Sequence, residues 1–336
     1  MRLISDTEIQ SFGDFVASHE SFIVAGHKEP DGDCMASCIG VAAILAQNRK
    51  KYTFFSAGPF KRVEIKKYEQ LFQNRLPEYF ESSRETIGLI VVDCSEHERL
   101  GETNIDFAQF DTFTIDHHRS PLAEDKNAKN VIIDYLCPAT ALLVQQIYEK
   151  LCGKIPEDVA DALFFGLVTD TNFFRFLNPF DGEVLRLASR LVDSGANPRR
   201  IYDTISGGKP FAACKLLGLI LNRAEKKFGG RLIYVYETLE DSKKFAKEGR
   251  DTDNLYAILL AVTGVEAVLF VRQENEEKCT AGFRSRGDLN VSEIAAKFGG
   301  GGHKNAAGLS CTGKIAEVSS AILNEFAQVL GDISAA

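Results

Sequence analysis

The chain contains no tryptophan, and histidine occurs only six times in 336 residues. Any stacking against a nucleobase therefore falls to Phe, Tyr, His or Arg. No apolar run approaches the ~20 residues that cross a bilayer, which argues against a membrane-spanning helix. The N-terminus turns acidic at Asp6 and lacks the apolar core of a signal peptide, so a cytoplasmic protein is expected. None of the eight cysteines pairs at C-x-x-C spacing. That argues against zinc-binding or disulfide roles and for buried, reduced thiols. A basic excess is missing too, because the formal net charge is −8. A surface that neutralises the phosphates of duplex DNA has to be basic, so duplex DNA is not an expected partner. A short or small phosphorylated substrate stays compatible with this charge. Tandem repeats and low-complexity tracts are also absent.

What is present is the composition of a packed globule, 45% hydrophobic and 26% charged. The length favours two domains over one. Up to about residue 190, short apolar runs alternate with helix-like segments, the pattern of a parallel α/β sheet. Strands are expected at 21–26, 52–57, 87–94, 113–116 and 131–134. Helices are expected at 34–47, from Pro138 to about Cys152, from Pro156 to Asp170 and over 181–195. Proline in a first helical turn, and Gly195 with Pro198 beyond a last one, mark these boundaries. A helical stretch follows, with Gly207, Gly208 and Pro210 as a hinge. The pattern restarts at Arg231, with strands at 231–237, 266–272, 279–285 and near 306–311, and helices at 252–262, 291–298 and about 315–330. The expected architecture is α/β. A parallel-sheet domain (1–195) is joined by a helical connector (196–228) to a smaller α/β domain (229–336), with the active site in the cleft between them.

Four of the six histidines fall inside five short clusters. These are His27-x3-Asp31-x-Asp33, Asp93, Asp116-His117-His118, Asp170, and the run Gly299-Gly300-Gly301-Gly302-His303. The first three groups follow expected strands, and an open parallel sheet binds ligands beyond the carboxyl ends of its strands. Singly, most have a plain explanation as turn or cap formers. Adjacent imidazoles preceded by an aspartate at a strand end do not. Mixed carboxylate and imidazole donors suit Mn²⁺, Fe²⁺ or Co²⁺, with Zn²⁺ admitted. A carboxylate such as Asp93 can bridge two cations roughly 3.5–4 Å apart, and water held there becomes a nucleophile at neutral pH. Two divalent cations are expected, Mn²⁺ first, and they would offset the clustered aspartates.

The segments HKEPDGDCMAS (27–37), VVDCS (91–95), IDHH (115–118), GLVTDTNFFRF (166–176) and FRSRGDLNVSEIAAKFGGGGHKNAAG (283–308) resemble the DHH phosphoesterases. Within them the likeness is to the subgroup with a C-terminal DHHA1 domain, and to its stand-alone nanoRNase (oligoribonuclease) type, which also removes the 3′-phosphate of 3′-phosphoadenosine 5′-phosphate. The resemblance covers nearly the whole chain. It implies one cation on His27, Asp31 and Asp93 and another on Asp33, Asp93, His117 and Asp170. It further implies that Asp116 orients a ligand histidine and that His118 contacts the scissile phosphate or protonates the leaving oxygen. Arg284 with Ser285, the glycines Gly300, Gly301 and Gly302, and His303 would bind the substrate's phosphate. The implied partners are short single-stranded RNA or small phosphorylated nucleotides, without a membrane. A homodimer is an admitted assembly.

The chain departs from the family at Cys34-Met35-Ala36-Ser37, where Ala-x-Gly-Ser is frequent, and at Asn172, where glycine is frequent. Cys34 is expected to be a buried, inert thiol. Asn172 tolerates a left-handed backbone. Phe173, Phe174 and Phe176 are expected in the core, and Arg175 either reaches a phosphate or is solvated. Alternative readings are a cyclic- or linear-dinucleotide phosphodiesterase and, from another class, a non-catalytic nucleotide-binding module. A pyrophosphatase conflicts with the glycine-rich motif. A processive exonuclease should be longer and more basic.

Overall fold

A computed structural model describes residues 1–76, 86–125 and 128–331. The chain divides into two compact units, Met1–Gly207 and Gly208–Ala336.

In the first unit, the apolar runs SFIVAG and IGLIVV are buried along their whole length as β1 (Ser21–Gly26) and β4 (Ile87–Val92). Strands without an exposed face belong in the middle of a parallel sheet. Around them lie β2 (Lys51–Phe55), β3 (Phe72–Gln73), β5 (Asp111–Asp116) and β6 (Val131–Ile133). The order is β3-β2-β1-β4-β5-β6 and every pair is parallel. Strand order reverses between β1 and β4, the switch point where such sheets bind ligands. The register pairs Gly26 with Val92 and Val92 with Ile115. His27, Asp93 and Asp116 therefore leave three neighbouring strands at one level.

Among the described residues the unit's α-helices are α1 (Asp6–Ser18), α2 (Gly32–Gln47), α3 (Pro121–Glu124), α4 (Thr140–Cys152), α5 (Glu157–Thr171), α6 (Gly182–Asp193) and α7 (Pro198–Ser206). Helix α2 carries Gly32, Ala36 and Gly40 at four-residue spacing, hence on one face. A Cβ on Gly40 would lie 2.6 Å from Val144 and 2.9 Å from Leu163, and one on Gly166 would lie 2.7 Å from the Ala36 Cβ. These missing side chains let α2, α4 and α5 meet at backbone distance. Helix α1 was not expected from hydropathy, although the Ser5/Glu8 capping box that starts it can be read in the sequence. Helix α2 begins at Gly32, two residues earlier than expected, because Asp31 caps it and accepts from the N–H groups of Asp33 and Cys34, both at 3.1 Å. The first ligand loop is thus the first turn of a helix. The helix placed after Pro138 begins at Thr140.

The stretch 196–228 is divided between the units. Helix α7 packs into the first through Ile201, and α8 (Phe211–Asn222) packs into the second through Leu216 and Ile220.

The second unit holds a mixed sheet of β7 (Glu225–Lys227), β8 (Leu232–Glu237), β9 (Ala267–Gln273), β10 (Lys278–Ser285), β11 (Gly301–His303) and β12 (Ala306–Thr312), in the order β11-β12-β10-β9-β8-β7. Only β8 and β9 run parallel. Its remaining helices are α9 (Leu239–Phe245), α10 (Thr252–Leu260), α11 (Val291–Ala296) and α12 (Ile315–Leu330). One core holds Phe283, Ile322 and Phe326, and a second holds Val235, Tyr256 and Phe270. Part of the glycine run is the edge strand β11, paired antiparallel with β12. Among the described residues no helix is long and apolar enough to cross a membrane.

Candidate metal centre

At the carboxyl ends of β1, β4 and β5 the structure gathers His27, Asp31, Asp33, Asp93, His117 and Asp170. Asp93 lies at the centre, 1% exposed, with its backbone in the left-handed region at φ 61°. Aspartate enters that region more readily than most residues, and strained backbone of this kind concentrates at functional sites. The two Asp93 oxygens point different ways. Oδ2 lies 3.4 Å from His27 Nε2, and Oδ1 lies 3.4 Å from His117 Nε2.

Each imidazole is set by the bond its other nitrogen makes. His27 Nδ1 donates to the Lys28 carbonyl at 2.8 Å, and His117 Nδ1 donates to the Cys137 carbonyl at 3.1 Å. With Nδ1 donating, a neutral His117 ring turns a lone pair at Nε2 toward carboxylates. His117 Nε2 is buried without a hydrogen-bond partner among the described residues. It faces Asp93 and Asp170 at 3.4 Å and Asp33 at 3.9 Å. A lone pair aimed at three carboxylates is repulsive unless a cation lies between them. His27 Nε2 faces Asp31 Oδ1 at 3.8 Å. Burial lowers the pKa of this imidazole, but hydrogen bonds to Asp31 and Asp93 outweigh it and raise it, so the ring offers these carboxylates a charge. The donor set and the unpartnered nitrogen both fit divalent cations.

The electrostatics agree. Burial, followed by the charges of Asp31 and Asp93, pushes the Asp170 carboxyl up to about 8. Burial and the charges of Asp93 and Asp170 also push Asp33 up. Burial raises Asp31, but the hydrogen bond and charge of His27 outweigh it and hold the group at about 2. Two of the clustered carboxylates, Asp33 and Asp170, therefore resist carrying negative charge without a counter-ion.

Hydrogen bonds that sequence reasoning passed over hold these side chains in place. Asp33 is fully buried and accepts from the first N–H groups of α4, Thr140 at 2.6 Å and Ala141 at 2.8 Å. A carboxylate at a helix N-terminus is favoured by the helix dipole. The Thr140 hydroxyl donates to Asp93 Oδ1 at 2.9 Å. Cys34, 1% exposed, brings its sulfur beside the His27 and Asp93 donor atoms.

Asp116 was expected behind a ligand histidine. It holds His118 instead, accepting from Nδ1 at 2.8 Å and from the backbone N–H at 3.0 Å, while Ser95 donates to its other oxygen. Strand geometry explains this, since His117 turns toward Asp33, Asp93 and Asp170, and Asp116 and His118 share the alternate direction. The Asp116 hydrogen bond, partly opposed by burial, raises the pKa of His118. Asn172 adopts the left-handed conformation expected of it, at φ 47°. Phe173 and Phe174 pack on the core edge, but Phe176 is 62% exposed and does not belong to the core.

In the second unit, Arg284, Gly300 and Gly301 line one cavity of about 630 Å³, together with Tyr256, Arg272 and Thr280. Ser285 does not join them. Alternation along β10 sends it to the opposite face, where it is buried, donates to the Leu289 carbonyl at 2.7 Å and accepts from Asn305. Its partners lie within the fold. A Cβ on Gly302 would lie 2.7 Å from the Ala307 Cα, so this glycine serves the close β11–β12 pairing. His303 is exposed on β11, outside the cavity lining.

The DHH family, N-terminal domain, matches residues 21–167, and the DHHA1 domain matches residues 217–332. The bifunctional oligoribonuclease and PAP phosphatase NrnA of Thermus thermophilus is 28% identical over 290 residues, 86% of this chain and 84% of that protein. The cyclic-di-AMP phosphodiesterase PdeA of Listeria monocytogenes is 27% identical over 323 residues, 89% of this chain but 46% of that protein. An exopolyphosphatase-related protein from Bacteroides fragilis has the same fold, with a TM-score of 0.76 at 21% identity, covering 99% of this chain and 100% of that one. The motif order, the paired imidazoles around Asp93 and both domain matches make this chain a member of the DHH phosphoesterase family with a DHHA1 domain.

Proposed function

We propose that this chain is a nanoRNase, hydrolysing short oligoribonucleotides to mononucleotides and removing the 3′-phosphate of 3′-phosphoadenosine 5′-phosphate. The observation that carries the reading is Asp93, whose two oxygens each face a different imidazole nitrogen at 3.4 Å. In this reading His27, Asp31 and Asp93 hold one divalent cation, and Asp33, Asp93, His117 and Asp170 hold the other, with Mn²⁺ favoured by the carboxylate–imidazole set. Two such ions, when bound, would supply an activated water and neutralise charge building up at the phosphorus.

The chain's own groups do the rest. His118 is half-exposed, with Nδ1 fixed by Asp116. It presents its other nitrogen for a proton transfer to the leaving oxygen. Asp116 keeps that ring oriented and favours its protonated form. Arg284, Gly300, Gly301 and His303 take a terminal phosphate of the substrate, the arginine as the charged donor. The net charge of −8 supports a short single strand rather than duplex DNA. Eight free cysteines support a reducing compartment, the cytoplasm.

The test is product release by the Mn²⁺-loaded protein from a panel. The panel comprises a 5′-phosphorylated RNA dinucleotide, a five-mer, a long RNA, 3′-phosphoadenosine 5′-phosphate and cyclic di-AMP. Mononucleotides released fastest from the shortest RNAs, with adenosine monophosphate from the bisphosphate, are the expected outcome. Turnover of cyclic di-AMP alone would replace this reading by the activity named for the Listeria relative.

A further inference from the structure

Arg284 is oriented by packing. Its guanidinium lies over the ring of Tyr256, 4.7 Å from the centroid, and one of its nitrogens, Nη1, donates to the adjacent Phe283 carbonyl at 2.9 Å. Among the described residues no carboxylate pairs with it, so its charge stays available to an anion. Tyr256 comes from α10 and is 5% exposed. Its ring meets Phe270 of β9 edge-on, with centroids 6.4 Å apart. Its hydroxyl rests on the backbone of Gly282, which pairs with Phe270 on one side and Gly308 on the other. Burial pushes the phenol up to about 12. It is therefore neutral at working pH, and what it offers the guanidinium is a ring face rather than a countercharge.

We propose that Tyr256, seated on the bare backbone of Gly282, is a positioning residue that presents the Arg284 guanidinium to the substrate's terminal phosphate. The inference rests on the reading of Arg284 as that phosphate's ligand. The reason for glycine at 282 follows. A Cβ there would overlap the Tyr256 hydroxyl, whereas the next atom of that ring, Cζ, is at an ordinary 3.5 Å. An alanine at 282 displaces the phenol and the arginine with it. Removing the hydroxyl makes room again.

The experiment is steady-state kinetics of the full-length Mn²⁺-loaded protein on a 5′-phosphorylated RNA dinucleotide. Arg284→Ala raises KM and establishes the phosphate site. Tyr256→Leu raises KM roughly tenfold with kcat held within about twofold, the pattern of lost uniform binding. Tyr256→Phe, which keeps the ring, stays near wild type. In the Arg284→Ala background Tyr256→Leu adds nothing, because there is no guanidinium left to position. Gly282→Ala raises KM like Tyr256→Leu, and the Gly282→Ala/Tyr256→Phe double variant recovers most of the loss. Independent, multiplying effects of Tyr256→Leu and Arg284→Ala would overturn the inference, as would a Gly282→Ala defect that Tyr256→Phe leaves untouched. Should Tyr256→Leu fail to fold, the Gly282 pair decides alone. An unchanged KM in Arg284→Ala itself overturns the phosphate-site reading beneath, which is a different result from either of these.

Discussion

His27 and His117 face opposite oxygens of one carboxylate, each with Nε2 at 3.4 Å from Asp93. A single buried aspartate thus separates and joins two imidazole donors, the arrangement a bridging ligand requires. Asp93→Asn keeps the shape of the side chain and, like aspartate, tolerates the left-handed backbone at this position. The variant should fold. Wild-type protein should gain thermal stability with added Mn²⁺, about 2.7 kcal/mol at a hundredfold excess over Kd. Asp93→Asn should lose most of that gain together with turnover. A full Mn²⁺-dependent shift in melting temperature for the variant would remove Asp93 from the ligand set.

Much of the fold could be read from local pattern. β1 and β4 are apolar on both faces, which marks them as central strands, and the clusters after them fall where the sheet order reverses. The partners inside the site could not be read that way. Thr140 lies 107 residues from Asp33, and only the packing of α4 against α2 brings its N–H to that carboxylate. Which histidine Asp116 serves depends on side-chain direction at a strand end, which adjacency in IDHH does not reveal. Ser285 was separable in principle, since strand alternation already sets it opposite Arg284. The edge strand within the glycine run is a non-local pairing, and its own residues carry no strand signal.

The close meeting of α2 and α5 ties packing to the site. A Cβ on Gly166 would lie 2.7 Å from the Ala36 Cβ and 3.1 Å from both the Ala141 Cβ and Asp33 Oδ1. Gly166→Ala should cost roughly 1–3 kcal/mol by overpacking, despite the better helix propensity of alanine. The same shift moves Asp33, so Mn²⁺ affinity should fall along with the urea midpoint. A stabilised variant with wild-type affinity would show that the three helices have slack here.

Acid stability of the second unit should depend on Asp241. Burial raises this carboxyl, but the Arg223 guanidinium and the Thr238 hydroxyl and N–H outweigh it, and the net value is about 2. The ordinary aspartate value is 3.8. A depressed folded-state pKa means that the unfolded chain binds the proton first as pH falls. The contribution is therefore complete above about pH 4 and is lost on going down through about pH 2. It should be on the order of 1–2 kcal/mol at neutral pH. Asp241→Asn should lower stability at pH 7 and flatten the wild-type loss between about pH 4 and 2, read as melting temperature against pH. Parallel curves for the two proteins would dismiss the assignment.

The Thr140 hydroxyl gives a discriminating test of how the centre is supported, because it touches Asp93, the proposed bridging ligand. It is fully buried and donates to Asp93 Oδ1 at 2.9 Å, the oxygen that also faces His117. Thr140→Val replaces that hydroxyl by a methyl group of similar size and leaves the backbone N–H on Asp33 in place. Asp93 then loses the donor that fixes the plane of its carboxylate. Partners of this kind, one step behind a metal ligand, typically change metal affinity or activity about 10- to 100-fold. Calorimetric titration with Mn²⁺ should show that loss for Thr140→Val and near-complete recovery for Thr140→Ser, which restores the hydroxyl without the methyl. If valine binds Mn²⁺ as tightly as threonine, the imidazoles and carboxylates hold their geometry without help from α4, and the threonine serves only to satisfy a buried oxygen.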